Sequence, residues 1–269
     1  MFSSPFQRTF VLAAALAASM PAFTAPASAQ EAELDPAMAT PATGAQPADE
    51  EQEPETSFSI GLNQDIFFGF YGTAQGAVEL SPGLSFTAYT IIWTTPSFSS
   101  TGSGGGGLWS EFGVGVAFSL LNDRLTVNPQ LGILNGVLLS GSDRGLVFEG
   151  IVPNLTVNYG DDLLQAQLYA GYYLGLRDEN PVGARDFLHY WANAGVKATS
   201  FLAFGLHWEQ LFQSRGTAPD TDGNLYMWLG AYAEVAAGPF ALRFTAGVDL
   251  IDPSQEVLEF YKINVIANF

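Results

Sequence analysis

From Ser57 to Phe269, apolar side chains recur at every second position, over runs longer than the roughly 5–6 residues of an ordinary strand. The last run puts Tyr261, Ile263, Val265, Ala267 and Phe269 on one face and Lys262, Asn264 and Asn268 on the other. Phe240, Leu242, Phe244, Ala246, Val248 and Leu250 make a second apolar row, opposite Arg243, Thr245 and Asp249. Leu202, Phe204, Leu206, Trp208 and Phe212 make a third, opposite His207 and Glu209. Period two predicts strands. Short turns at Ser81-Pro82-Gly83, Asn122-Asp123, Gly160-Asp161, around Ser200 and at Ala237-Gly238 alternate with longer polar connections. The longer ones run from Thr95 to Gly107, Ser140 to Gly145, Arg177 to Arg185, Ser214 to Gly223 and Asp252 to Gln255. The pattern predicts an all-β, transmembrane, antiparallel up-and-down β-barrel with short periplasmic turns and longer extracellular loops, apolar toward lipid and polar toward the lumen.

Parity sets the strand number. If Ser81-Pro82-Gly83 is periplasmic, the strand from about Phe67 to Leu80 descends, and Ser57 to Asn63, with Phe58, Ile60 and Leu62 on one face, must rise before it. The total is about twelve, and the first strand is the weakest, with a tight turn near Gln64-Asp65. Alternation breaks around Pro129 and Asn135 and again near Pro153. Glu149 and Asn154 fall on opposite faces of a regular strand there, and a bulge, which tolerates proline, would restore both to the inside.

The segment before the strands has a different character. Arg8, the apolar stretch Phe10 to Ala18 and the small residues Ala27-Ser28-Ala29 predict a signal peptide over residues 1–29, cleaved after Ala29. Residues 30–56 carry Glu31, Glu33, Asp35, Asp49, Glu50, Glu51, Glu53 and Glu55 with no basic residue, which predicts a disordered acidic periplasmic linker. The barrel then occupies residues 57–269. Arg8 contributes +1 and the eight acids −8 to the net charge of −18, so the barrel carries −11. Such a balance argues against nucleic acid as a partner, because neutralising phosphates requires clustered Lys and Arg. With no cysteine there is no disulfide, thiolate metal site or thiol nucleophile. The chain is 48% hydrophobic and only 13% charged, yet no apolar run approaches the roughly 20 residues of a spanning helix; strands resolve that contrast.

The terminal Phe269, preceded by apolar residues at every second position, resembles the C-terminal signature of bacterial outer-membrane barrels that their insertion machinery recognises. Asp65-Ile66-Phe67-Phe68-Gly69, Asn128-Pro129-Gln130-Leu131-Gly132 and His189-Tyr190-Trp191 also resemble an uncharacterised porin-like family of Gram-negative bacteria. The resemblance implies the bacterial cell outer membrane as location, with outer-membrane lipid and the insertion machinery as partners. It carries over no site residues.

Outer-membrane lipid hydrolases place a Ser two residues from a His on a lipid-facing strand. Here Phe187 and Trp191 flank His189, and Gly205 and Glu209 flank His207, so no enzymatic activity is expected. If the turn near Ser200 pairs its two strands, Asn193 lies opposite His207 and Trp191 opposite Glu209. Two histidines and one carboxylate fall short of a zinc site and suit a hydrogen-bond network better. Gly104 to Gly107 precedes neither a Lys nor a helix start and is no phosphate cradle. Neither metal nor cofactor is expected.

The inferred lumen wall carries the acids Glu79, Glu111, Glu149, Glu209, Glu234 and Asp249 against Lys197, Arg243 and Lys262. Tyr169, Tyr173, Trp191, Tyr226, Trp228 and Tyr232 stand among Gln165, Gln167 and Asn193, either to stack planar solutes or to fill a narrow interior. The acid excess predicts a narrow passive channel for small neutral or cationic solutes. The alternatives are a closed structural or surface-interaction barrel acting through its loops and, less favoured, a lipid-modifying enzyme.

Overall fold

A computed structural model describes residues 55–93, 109–140, 142, 144–177, 184–216, 223–251 and 259–269. The predicted signal segment, the linker as far as residue 54 and the connections at 94–108, 178–183, 217–222 and 252–258 lie outside the described residues, as do 141 and 143.

Twelve strands follow one another: β1 (Thr56–Asp65), β2 (Gly69–Ser81), β3 (Leu84–Trp93), β4 (Trp109–Leu120), β5 (Leu125–Gly136), β6 (Leu146–Gly160), β7 (Leu164–Gly175), β8 (Asp186–Lys197), β9 (Leu202–Arg215), β10 (Asn224–Ala237), β11 (Phe240–Asp249) and β12 (Glu259–Asn268). Each pairs antiparallel with its sequence neighbours, and β1 pairs with β12, so the sheet closes into a barrel with no free edge. The seam extends to the last residue: Phe269 N–H donates to Phe58 O at 2.8 Å, and Phe58 N–H donates to Phe269 O at 3.0 Å.

The twelve strands match the expected number. Strand β1 runs two residues further than expected at its C-terminal end and starts inside the expected linker, at Thr56. Its turn occupies Ile66 to Phe68, where Asp65 Oδ1 accepts the N–H groups of Phe67 (2.9 Å) and Phe68 (2.6 Å). This Asx-type cap makes so tight a connection possible. Two to four residues join β2 to β3, β4 to β5, β6 to β7, β8 to β9 and β10 to β11, all at one end of the barrel.

Alternation sorts the side chains as the pattern requires. Phe58, Ile60 and Leu62 point outward and are exposed, as are Phe240, Leu242 and Phe244, while Ser59, Asn63 and Asp65 between the first set are buried. An ordinary soluble sheet buries the opposite set.

The expected bulge is present, but it lies ahead of Pro153. Leu134 pairs with Gly150 and Gly136 with Leu146, so β6 contributes extra residues there, with Phe148 at φ 55° and its N–H on Asn135 Oδ1 at 2.9 Å. Both Glu149 and Asn154 are buried as a result. Pro129 and Pro153 remain in register with Leu155 and Leu131.

Candidate functional site: the barrel interior

Side chains from strands that are not neighbours in a closed sheet can meet only inside it, and three groups do so here. At the end bearing the longer connections, Trp93, Leu134, Leu139, Val152, Tyr173, Phe187, Leu211, Tyr226, Trp228 and Phe260 form one buried cluster. Phe68, Tyr71, Trp109 and Leu138 pack against it. Tyr226, Trp228 and Phe260 stack in file, with ring centroids 4.1 Å and 4.7 Å apart and planes tilted by 20° and 6°. Phe68, Trp93, Leu138, Tyr173, Phe187, His189 and Leu211 leave a cavity of about 20 Å³ between them, room for roughly one water.

Part of this plug comes from a connection. Leu138 and Leu139 follow β5, and buried Glu149 holds them inward by accepting the N–H groups of Leu138 (3.1 Å), Leu139 (2.6 Å) and Ser140 (2.6 Å) and the Ser140 hydroxyl (2.8 Å). Glu149 is therefore a loop anchor.

Beneath the plug lies an ionic centre. Glu209 Oε1 accepts the Tyr226 hydroxyl at 2.8 Å and lies 2.9 Å from His189 Nε2. Its Oε2 lies 3.1 Å from His207 Nε2 and takes the Lys262 ammonium. His207 Nδ1 meets Asn193 Oδ1 at 2.8 Å, and the Asn193 amide donates to Gln167 Oε1 at 3.3 Å. Gln167 Oε1 also accepts Arg243 Nη1 at 2.6 Å, while Arg243 Nε donates to Glu234 Oε2 at 2.8 Å and its guanidinium lies 4.6 Å from the Tyr232 ring centre. One network thus ties β7 to β12, with the buried charges paired and hydrogen-bonded as a low-dielectric interior demands.

The opposite wall carries a second polar group. Tyr89 donates its hydroxyl to Glu111 Oε1 at 2.5 Å and accepts Asn154 Nδ2 at 2.7 Å, and the Tyr169 and Tyr173 hydroxyls are 3.2 Å apart. Gly113 makes room for this, since a Cβ there would fall 2.2 Å from the Tyr89 ring. Tyr169 stacks on Trp191 at 5.9 Å.

The remaining sequence-identified residues lie apart. Lys197 Nζ donates to Asp161 O at 2.6 Å at the short-turn rim, and Glu79 is half-buried at the same end of β2. Asp249 Oδ1 accepts the N–H groups of Met227 (3.0 Å) and Ile251 (3.1 Å), and its Oδ2 accepts Trp228 Nε1 (3.3 Å). The six acids form no common ring. Trp191 is in register with Glu209 and Asn193 with His207, as the turn near Ser200 predicted. Sequence reasoning placed Asn154 inside through the expected bulge but did not find Tyr89, Phe68, Leu139 or Phe260. The odd-numbered row Thr87, Tyr89, Ile91 and Trp93 on β3 held the signal for Tyr89.

Chemically, the centre is a hydrogen-bond network around Glu209. His207 spends both nitrogens on Asn193 and Glu209, His189 Nε2 meets Glu209 and Tyr226, and no Ser or Thr hydroxyl stands among these partners. Among the described residues no three His, Asp or Glu side chains are grouped to hold a metal ion.

The fold and interior define a closed twelve-strand β-barrel, apolar outside and plugged by aromatic and aliphatic side chains at one end. The chain belongs to a family of unknown function, DUF6733, which matches residues 32–269. No curated protein matches it. Similar solved structures include the NanC porin, with 10% identity over 78% of this chain and 98% of that one and a TM-score of 0.49. The KdgM porin in complex with disordered oligogalacturonate has 10% identity over 79% and 99%, TM-score 0.44. The COG4313 outer membrane channel from Pseudomonas putida F1 has 10% identity over 84% and 100%, TM-score 0.46.

Proposed function

We propose that this protein is a non-enzymatic, porin-like barrel of the bacterial outer membrane that is sealed at rest. The outward belt of exposed apolar residues on a closed, edge-free sheet suits lipid, where every backbone group must find its partner within the sheet. The plug carries the reading of a sealed state. Its residues come from strands all around the barrel and from the connection after β5, and the space left among six of them and His189 is about 20 Å³. The preference for cations loses its support in the same geometry, because Glu209 and Glu234 are paired with Lys262 and Arg243, and Glu149 and Asp249 are engaged by backbone N–H groups.

Conductance in a planar bilayer tests this reading. The wild-type barrel should stay near baseline, and Trp228→Ala, which removes the middle ring of the stack, should admit discrete currents. Steady wild-type currents unchanged by Trp228→Ala would overturn it. The second reading, a narrow passive channel for small neutral or cationic solutes, rests on the polar inner wall toward the short turns, where the Thr87 hydroxyl donates to Asn128 Oδ1 and accepts Gln130 Nε2. A cation-selective reversal potential in the wild type would favour it.

A further inference from the structure

The two inner walls balance their charges differently. On the β8–β12 side Glu209 meets Lys262 and Glu234 meets Arg243. Strands β1 to β7 contain no Lys or Arg at all, yet Glu111 on β4 is fully buried. The other buried carboxylates on those strands, Asp65 and Glu149, each accept two or more backbone N–H groups, although Asp65 takes both on Oδ1 and its Oδ2 is unpartnered. Glu111 Oε1 has the Tyr89 hydroxyl, and its Oε2 has no hydrogen-bond partner. Asn154, only 7% exposed and bound to the same hydroxyl through Nδ2, also has an unpartnered oxygen, Oδ1. Two orphan acceptors, one of them a carboxylate oxygen, thus flank the Tyr89 phenol, with the Tyr173 phenol also beside Glu111, in a region without a protein cation. Such groups are rarely buried unless a donor or cation compensates them.

We propose that Glu111 Oε2 and Asn154 Oδ1 hold a monovalent metal cation, sodium or potassium in kind, in the wall formed by β3, β4, β6 and β7. One negative charge and otherwise neutral oxygen donors fit a hard ion of low charge, and the set contains no nitrogen or sulfur to favour zinc. The ion satisfies both acceptors and neutralises the carboxylate in one step. It does for this wall what Lys262 does for the other, and it does so whether or not the barrel conducts.

The test measures thermal unfolding of the purified barrel in detergent, in sodium or potassium chloride and in choline chloride at equal ionic strength. Alkali chloride should raise the wild-type melting temperature by a few degrees over choline chloride, and Glu111→Gln should abolish the difference. Glu149→Gln, which weakens the barrel elsewhere, should keep it, so loss of stability and loss of the ion are told apart. Crystals grown in rubidium chloride should show an anomalous peak between Glu111 and Asn154. Equal melting in all salts together with a featureless map there would overturn the site, leaving a shared proton or water as the compensation. A salt difference that persists in Glu111→Gln would overturn it as well.

Discussion

Glu209 shows how much a single interior residue can carry. It is fully buried, yet it engages Tyr226, His189, His207 and Lys262. Desolvating two charges costs about as much as their attraction returns, so the pair as such adds little net stability, whereas stranding one partner is expensive. Glu209→Gln should therefore destabilise the barrel by about 3 kcal/mol, read from urea unfolding in detergent. The double variant Glu209→Gln/Lys262→Met should recover most of that loss; equal losses would show that the cluster does not act as a unit. Asp161, half-buried in the β6–β7 turn, makes a different point. The Tyr159 hydroxyl and the N–H groups of Leu164 and Leu163 favour its ionised form and hold its carboxyl down at about 2. Since the folded value is below the unfolded one, its contribution to stability is complete above the ordinary carboxylate range and fades as pH falls from about 4 toward 2. Asp161→Asn should remove that segment of the stability–pH curve, and a curve unchanged in the variant would count against the cap.

At the scale of the element, period two reads directly from sequence because it depends on the pleat alone and not on what a strand packs against. Twelve strands and their outward rows are legible for that reason. The conflict between Glu149 and Asn154 likewise announced a bulge, and the break in alternation at Asn135 marked its place on β5, whereas the breaks at Pro129 and Pro153 did not mark one. Proline lacks an N–H and merely drops a ladder bond, so Pro129 and Pro153 stay in register, while the irregularity sits at Phe148, where Asn135 is near enough to accept its N–H. The β4–β5 turn strings together Leu121, Asn122 and Asp123 at φ 55°, 55° and 61°. Asn and Asp tolerate that left-handed region; a leucine does not. Leu121→Gly should raise stability by about 0.5 kcal/mol, measured as a higher melting temperature, and a lower one would mean that this exposed side chain contributes more than its backbone costs.

At the scale of the molecule, the interior was far less legible than the shell. Reading apolar residues as outward assigns the outer face well, but it hides Phe68, Leu139 and Phe260, which are apolar and inside. It also presents each acid as free, because a linear sequence does not show that Lys262 reaches Glu209 across β10 and β11. The closed barrel couples these distant residues into a plug with two kinds of part: rings held by strands, and Leu138 and Leu139 held by Glu149 from a connection. The two parts should open differently. Removing the Trp228 ring leaves a permanent gap between Tyr226 and Phe260 in a rigid wall, which predicts a steady added conductance. Glu149→Ala strands the N–H groups of Leu138, Leu139 and Ser140 and frees the segment to move. Its bilayer recordings should then show brief, flickering openings over a closed baseline, as a mobile segment exchanges between seated and unseated positions. A steady current like that of Trp228→Ala would mean that Glu149 shapes the wall itself, and a silent Glu149→Ala barrel would mean that the strand-borne rings seal it alone.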